Sequence, residues 1–392
     1  MKNNISQNIY DKLPPSPRGR GGQGGEGKLA LIHDHLAQDG GAEKVLQALA
    51  GLYPQAPIYT LLYRPEYYRA YFSDRILNAS FIQNFPLGIA KYQWYIPFMP
   101  AAIESFDLRN YDLVLSSASS FAKGIIAAPQ TTHICYCHTT TRYLWDYSQQ
   151  YLEELPLNKF FKKIINMELS RLRQWDKAAA ERVDFFIANS KNTQQRIKKY
   201  YGRDSIVIYP PVDTDRFNIS EEKKDYFITG GRLTPYKRFD IAIKAFNKLN
   251  LPLKIFGEGP DKKRLQKMAM NNIEFLGKIN ESDKQKYLAE AQAFIHPQEE
   301  DFGIAAIEAQ ASGTPVIAYN KGGATETILH ERTGLLFNQQ SWEELADAVL
   351  RFNLHYSFDP RLVKENAERF RVDRFNNEIV KYITEITNNK EC

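Results

Sequence analysis

The sequence predicts two doubly wound parallel α/β domains in tandem, and three observations carry that expectation. Short β-rich runs alternate with stretches of helical periodicity along most of the chain. The alternation comes in two series, over 28–215 and 216–375, separated by Pro210-Pro211 and a polar, charged stretch from Asp213 to Lys224. The 392 residues suit two cores better than one.

In the first series LALIHDHL follows Lys28 as a strand, Asp39, Gly40 and Gly41 make a turn, and AEKVLQALAGLY has helical periodicity. Further strands are predicted at 112–117, 124–128 (GIIAA), 133–138 (HICYCH), 184–190 and 205–212. The second series places strands at 225–232, 251–257, 273–277, 293–297 and 314–319, and residues 376–392 are expected to form a C-terminal helix and tail. Residues 17–27, PRGRGGQGGEG, hold six glycines and no large apolar side chain, so 1–27 are predicted to be a disordered tail. Gly19, Gly21 and Gly24 match the dinucleotide fingerprint literally, but they precede the first strand instead of following it, which argues against a nicotinamide dehydrogenase.

The composition, 43% hydrophobic and 25% charged, is that of an ordinary globular protein. With 51 basic and 46 acidic residues the net charge is only +5, so no polybasic face for nucleic acid is expected and a small-molecule or glycan partner is favoured. Cys135, Cys137 and Cys392 are too few and wrongly spaced for a disulfide framework or a zinc site, which implies buried thiols and a reducing compartment. The longest apolar stretch, Phe85 to Ile103, is broken by Lys91, Gln93 and interior prolines, and the first 27 residues have no apolar signal core; a cytoplasmic protein is expected. Two readings stay open for FPLGIAKYQWYIPFMPAAI (85–103) and NKFFKKII (158–165): peripheral contact with the inner face of a membrane, or core-packed helices with solvated lysines.

The candidate chemistry lies at predicted strand ends. Gly230-Gly231-Arg232 closes a strand, and Lys237 follows just before a helix expected from about Phe239. A glycine turn, a helix N-terminus and two cations suit a pyrophosphate. After the strand AFIHP come Glu300, Asp301, Phe302, Gly303, Ile304 and, eight residues from the first carboxylate, Glu308. If wholly helical, that spacing would set the carboxylates about 12 Å apart, a reach comparable with that from the sugar to the ribose of a nucleotide sugar, and a carboxylate accepts from two neighbouring hydroxyls. Asp213-Thr214-Asp215 has the form of a metal-binding Asp-x-Asp, but it sits in the linker, and Arg232 and Lys237 can neutralise a diphosphate, so no metal is expected. In His33-Asp34-His35 strand alternation would send both histidines to one side, where polar contacts near an acceptor are expected.

Together these residues resemble the retaining glycosyltransferases of family 4 (group 1), over about residues 28–385. The resemblance implies the GT-B fold: two facing Rossmann-like domains, an acceptor-side one over 28–215 and a nucleotide-sugar-binding one over 216–375. It implies that Arg232 and Lys237 bind the donor diphosphate, that Glu308 binds the ribose, and that Glu300 contacts the donor sugar near its reacting end. FGEGPDKKRL, with Gly257, Gly259 and Pro260, looks like the family's Gly-x-Gly-Pro turn, and Gly322-Gly323 to Glu326-Thr327 like its segment flanking the nucleotide. Gly40-Gly41-Ala42-Glu43 resembles the N-terminal glycine loop that approaches the diphosphate and acceptor. His138, a structural histidine on its own merits, is placed by the resemblance beside the donor sugar and the acceptor hydroxyl.

The expected catalytic set is therefore His138, Arg232, Lys237 and Glu300. The expected donor-binding set is Arg232, Lys237 and Glu300 together with Gly40, Gly41, Gly231, Gly257, Gly259, Pro260, Phe302, Gly303, Ile304 and Glu308. CYCHTTTRYLWDY is similar to bacterial mannosyltransferases of O-antigen and exopolysaccharide assembly that use GDP-mannose, although Thr140 stands where many of them carry proline. The implied function is transfer of a hexose, mannose from GDP-mannose, to a polysaccharide or lipid-linked glycan, with no cofactor beyond the donor. A nucleotide-sugar isomerase of the same fold and a catalytically silent donor-binding subunit are the alternatives.

Overall fold

A computed structural model describes residues 28–38, 40–155 and 157–389. The predicted tail 1–27, Asp39 and Cys392 lie outside the described residues. The described chain separates into two compact units. One runs to Tyr209 and takes the chain back from Phe375; the other extends from Pro210 to Arg374.

The first unit contains β1 (Leu29–His33), α1 (Gly41–Leu52), β2 (Ile58–Thr60), α2 (Pro65–Tyr71), β3 (Leu77–Ala79), α3 (Met99–Glu104), β4 (Leu113–Ala118), β5 (Thr132–Cys137), α4 (Ser148–Glu154), α5 (Lys159–Glu181), β6 (Phe185–Ala188), α6 (Lys191–Arg196) and β7 (Ser205–Val207). The strands form a seven-stranded sheet in the order β3-β2-β1-β4-β5-β6-β7, and every pair is parallel. All residues of β1, β4 and β5 are buried, as expected for central parallel strands covered on both faces. One face packs Ile32, Val114 and Cys135 against α3 and α5; the other packs Leu31, Leu115 and Tyr136 against α1.

The second unit contains β8 (Phe227–Gly230), α7 (Phe239–Leu249), β9 (Leu253–Phe256), α8 (Lys262–Met268), β10 (Ile273–Gly277), α9 (Glu281–Glu290), β11 (Phe294–His296), α10 (Ile304–Ala311), β12 (Val316–Tyr319), α11 (Ala324–Thr327), β13 (Gly334–Phe337), α12 (Trp342–His355) and α13 (Pro360–Glu368). Its six parallel strands are ordered β10-β9-β8-β11-β12-β13. In α7 the buried Phe239, Ile241, Ala242, Ala245 and Phe246 face a core shared with Leu345 and Val349 of α12.

The run 124–128 is not a strand. A 3-10 turn ends at Gly124, and Ile125 is buried in the core while Ile126 is 53% exposed. β4 and β5 pair directly with each other from Leu113–Thr132 to Ala118–Cys137, so no place in the sheet is left for the crossover segment between them. β2, β3 and β13 add strands not predicted from the sequence; with three or four residues each they are too short to show a period and are defined by pairing to a neighbour. The helix predicted at the C-terminus is α14 (Val372–Asn389), and Phe375, Ile379, Ile383 and Ile386 place an apolar stripe in the α1 side of the first unit's core. Among the described residues no helix is long and apolar enough to cross a membrane.

The Phe375 ring is fully buried and meets Tyr136 edge-on at 5.8 Å. Phe375→Ala should destabilise the first unit by about 3 kcal/mol or more, the range for emptying a buried aromatic site. Urea unfolding followed by circular dichroism would read the shift, and an unchanged midpoint would contradict the packing described.

Candidate active site

In both sheets the strand order reverses beside the first strand of the unit, between β1 and β4 and between β8 and β11. Loops leaving adjacent strands at such a point diverge and open a crevice at the carboxyl ends, where ligands of open parallel sheets bind. The sequence-predicted residues of the second unit collect there. Gly231, Arg232 and Lys237 follow β8, and Glu300, Phe302 and Gly303 follow β11.

The Lys237 ammonium lies 2.6 Å from Glu300 Oε1, with both side chains more than four-fifths covered. Arg232 shares the loop but is exposed, its guanidinium 3.4 Å from the Tyr236 hydroxyl. The loop after β9 lies against this one so closely that a Cβ on Gly257 would meet the Gly231 carbonyl oxygen at 1.9 Å, and one on Gly259 the Leu233 oxygen at 2.2 Å. Only glycine allows that approach. Pro260 is exposed and precedes Asp261, whose N–H donates to Leu233 O. On the other side Gly323 N–H donates to Glu300 O at 2.8 Å, which pins the Glu300 loop to the Gly322-Gly323 turn.

Gly303 has φ +93 and starts α10 directly at Ile304, so only the second half of the Glu300–Glu308 spacing is helical. Phe302 is buried with its ring edge-on to Phe370; its role is to anchor the loop in the core. Glu308 is 5% exposed and faces the Lys284 ammonium of α9 at 3.2 Å.

Burial alone pushes the Glu300 carboxyl up. The Lys237 charge and hydrogen bond, with His296 and Gln298, outweigh it and hold the carboxyl near about 2. Burial likewise pushes Lys237 down, and Glu300 more than restores it. His296, driven down to about 4 chiefly by burial, is a neutral ring whose Nδ1 lies 3.1 Å from Gln298 Nε2. The buried Gln298 Oε1 has no hydrogen-bond partner. His296 and Gln298 escaped the sequence reading; their signal was two polar residues in the AFIHPQ run before Glu299 and Glu300.

The first unit carries His138 and the glycine loop at its own reversal. His138 Nε2 lies 2.8 Å from Ser117 Oγ, which lies 3.1 Å from His33 Nδ1, and His33 Nε2 is 3.9 Å from Glu43 Oε1. The chain of contacts joins β5, β4, β1 and α1. Burial, then His33, drives His138 down to about 3, so it acts as a neutral hydrogen-bonding ring. Gly40 is the N-cap of α1, and a Cβ there would meet Glu43 Oε2 at 2.9 Å, so the glycine lets that carboxylate fold back over the turn. Burial raises Glu43, but the His33 contact and the His35 charge bring it below its ordinary value. Gly41, the first residue of α1, is exposed.

Strand alternation does not extend over His33-Asp34-His35, although both histidines act on Glu43. β1 ends at His33, and Asp34 turns out of the strand to accept four backbone N–H groups, from Ser119 to Ala122, at 2.6–2.8 Å. His33 therefore meets Ser117, while His35 packs on Tyr92 at 4.9 Å. Asp215 is engaged by both terminal nitrogens of Arg371 at 3.0 Å, and Asp213 pairs with Arg216, which accounts structurally for the Asp-x-Asp carboxylates. Cys135 and Cys137 are buried thiols outside any disulfide; Cys137 Sγ donates to the Thr139 carbonyl, and burial pushes Cys135 up to about 12.

His133, His138 and His296 are held at about 4, 3 and 4, below the ordinary 6.5. Below pH 6.5 the unfolded chain binds protons that the folded chain refuses, so stability falls as pH drops from 6.5 toward 4. Glu300 has a linkage of the same sign at lower pH: its contribution is present above the ordinary 4.5 and is lost from there toward 2. The melting temperature should therefore fall already between pH 6.5 and 5. A melting temperature constant down to 4.5 would contradict the three neutral rings.

The family model described as Glycosyltransferase Family 4 matches residues 39–216, and that described as Glycosyl transferases group 1 matches 212–369. The GDP-mannose-dependent alpha-(1-6)-phosphatidylinositol monomannoside mannosyltransferase of Mycobacterium tuberculosis is 32% identical over a match covering 41% of this chain and 50% of that protein. The O-antigen chain mannosyltransferase RfbU of Salmonella typhimurium is 29% identical, covering 47% and 58%. The chain thus spans about half the length of the curated relatives it matches. Among solved structures, Anabaena HepE in complex with UDP and glucose superposes with a TM-score of 0.68 at 20% identity, covering 91% of this chain and 99% of that one. Sucrose-phosphate synthase from Thermosynechococcus elongatus superposes with a TM-score of 0.69 at 17% identity, covering 93% and 100%. The two family models together span 39–369, the fold is GT-B, and the chain belongs to the group 1, family 4 glycosyltransferases.

Proposed function

We propose that the protein transfers mannose from GDP-mannose, with retention of configuration, to a hydroxyl of a polysaccharide or lipid-linked glycan. The observation that carries the transfer reading is the Lys237–Glu300 pair at the strand-order reversal, flanked by glycine loops and Arg232. It places a cation and a carboxylate, the groups needed for a diphosphate and for sugar hydroxyls, within contact of each other. The names of the mannosyltransferase relatives support the donor, as does the similarity of the segment around His138.

In this reading the bond between the sugar C1 and the diphosphate oxygen breaks while the acceptor oxygen bonds to C1 from the same face. The acceptor hydroxyl gives its proton to the departing phosphate. Lys237 and Arg232 stabilise the charge that develops on the leaving group, a preorganised electrostatic contribution. Glu300 holds Lys237 in place before the donor arrives and accepts from sugar hydroxyls afterwards, and Glu308 accepts from the ribose. The neutral His138 ring hydrogen-bonds the donor sugar beside the acceptor.

Lys237→Ala and Arg232→Ala should each lower turnover about a hundredfold, the loss typical of removing one preorganised charge donor. GDP-mannose and GDP should raise the melting temperature of the protein, whereas UDP-glucose, UDP-N-acetylglucosamine and ADP-glucose should not. A shift with a UDP sugar alone would remove the mannosyl assignment. Wild-type rates in both variants would remove the catalytic one, and product formed from donor alone would favour isomerisation.

A further inference from the structure

Two segments of the first unit leave large apolar side chains in solvent, and neither belongs to the site described above. The N-terminal turns of α5 expose Phe160, Phe161, Ile164 and Met167 by 48–68%, with Phe160, Ile164 and Met167 at i, i+4 and i+7 on one stripe. The buried residues of the same helix begin only at Leu169. Before α3, Leu87, Trp94 and Phe98 are 61%, 66% and 51% exposed. Both segments root in the same core, since Leu169 and Leu172 of α5 and Met99, Ala102 and Ile103 of α3 share one cluster over one face of the sheet.

Their charge is one-sided. Residues 81–103 and 157–167 contain Lys91, Lys159, Lys162 and Lys163 and no Asp or Glu, in a chain with 46 acidic residues. Lys91 lies over the Trp94 ring at 5.9 Å, and Lys162 donates to the Glu153 carbonyl at 2.9 Å.

We propose that this face docks on the anionic surface of a lipid bilayer, with Phe160, Ile164, Met167 and Trp94 entering the headgroup boundary and the four lysines meeting lipid phosphates. Insertion of an apolar stripe edged by lysines is the binding mode of interfacial helices, and Trp is favoured at that depth. A second copy of the chain fits less well: a two-fold contact through this stripe would bring Lys159, Lys162 and Lys163 against their own equivalents. The inference does not depend on which sugar is transferred.

Cosedimentation of the full-length protein with phosphatidylcholine vesicles, with and without phosphatidylglycerol, tests it. Binding should require phosphatidylglycerol and weaken at high salt. It should fall about a hundredfold in Lys159→Gln/Lys162→Gln/Lys163→Gln, since each cation near such a surface contributes about a factor of five, and about tenfold or more in Phe160→Ser/Ile164→Ser. Lys159, Phe160, Lys163 and Ile164 are exposed and Lys162 makes one hydrogen bond to a surface carbonyl, so both variants should keep a melting temperature close to that of the wild type. The proposal is overturned if the wild type ignores phosphatidylglycerol vesicles or binds neutral vesicles equally well. It is also overturned if Phe160→Ser/Ile164→Ser alters only the oligomeric state in sedimentation without vesicles, which would assign the stripe to a second copy.

Discussion

The reversal of strand order within each sheet is the constraint on which the candidate site depends. In a parallel sheet all carboxyl ends lie along one edge, and only at the reversal do the adjacent loops part. In the second unit the loops after β8, β9, β11 and β12 are crowded together there, and the crowding sets residue types. Where backbone meets backbone a side chain is excluded, as at Gly257 against Gly231 O. Where side chains are screened from water, a charge must have its counter-charge close by, as Lys237 has Glu300. The pair therefore serves the folded state and leaves a cation and a carboxylate at the crevice.

The first unit solves the same problem with buried polar side chains. The Asp34 carboxylate accepts four consecutive backbone N–H groups of the loop after β4. The next residue in that loop, Lys123, is 1% exposed and donates to Ser120 O, Thr141 and Asp176. Asp176 in turn accepts from Thr141, Trp145 and Tyr201. An ion pair this deep is tolerated because its remaining hydrogen-bonding capacity is filled. The result ties the loop after β4 to the loop after β5, the two segments that flank Ser117 and His138.

How much was legible in the sequence follows from the range of each interaction. Lys237 and Glu300 were readable because each sits a few residues beyond a strand with glycine beside it, a pattern local to the chain. The hydrogen bond between Ser117 and His138 was not, because it depends on β4 and β5 pairing so that Ala118 faces Cys137. One residue of slip would turn Ser117 to the other face. The GIIAA run misled for a related reason: its β-branched composition is local, whereas its exclusion from the sheet is decided by β4 and β5 closing on each other. Alternation stops at His33 because Asp34 finds four N–H donors across 85 to 88 residues of sequence, so His33 meets Ser117 and His35 packs on Tyr92.

The helix α5 joins these themes. Its C-terminal half is held by Asp176 in the buried network and by Trp175, whose indole N–H donates to Glu104 of α3 at 2.8 Å. Arg182, just past the helix, reaches the same carboxylate. With 23 residues the helix is about 34 Å long, so its N-terminal turns lie well beyond that anchorage. Exposed apolar surface on a loosely held segment would collapse onto the body of the unit. On a helix fixed this firmly at one end it cannot, and Phe160, Ile164 and Met167 remain in water because the polar core around Asp176 keeps them there.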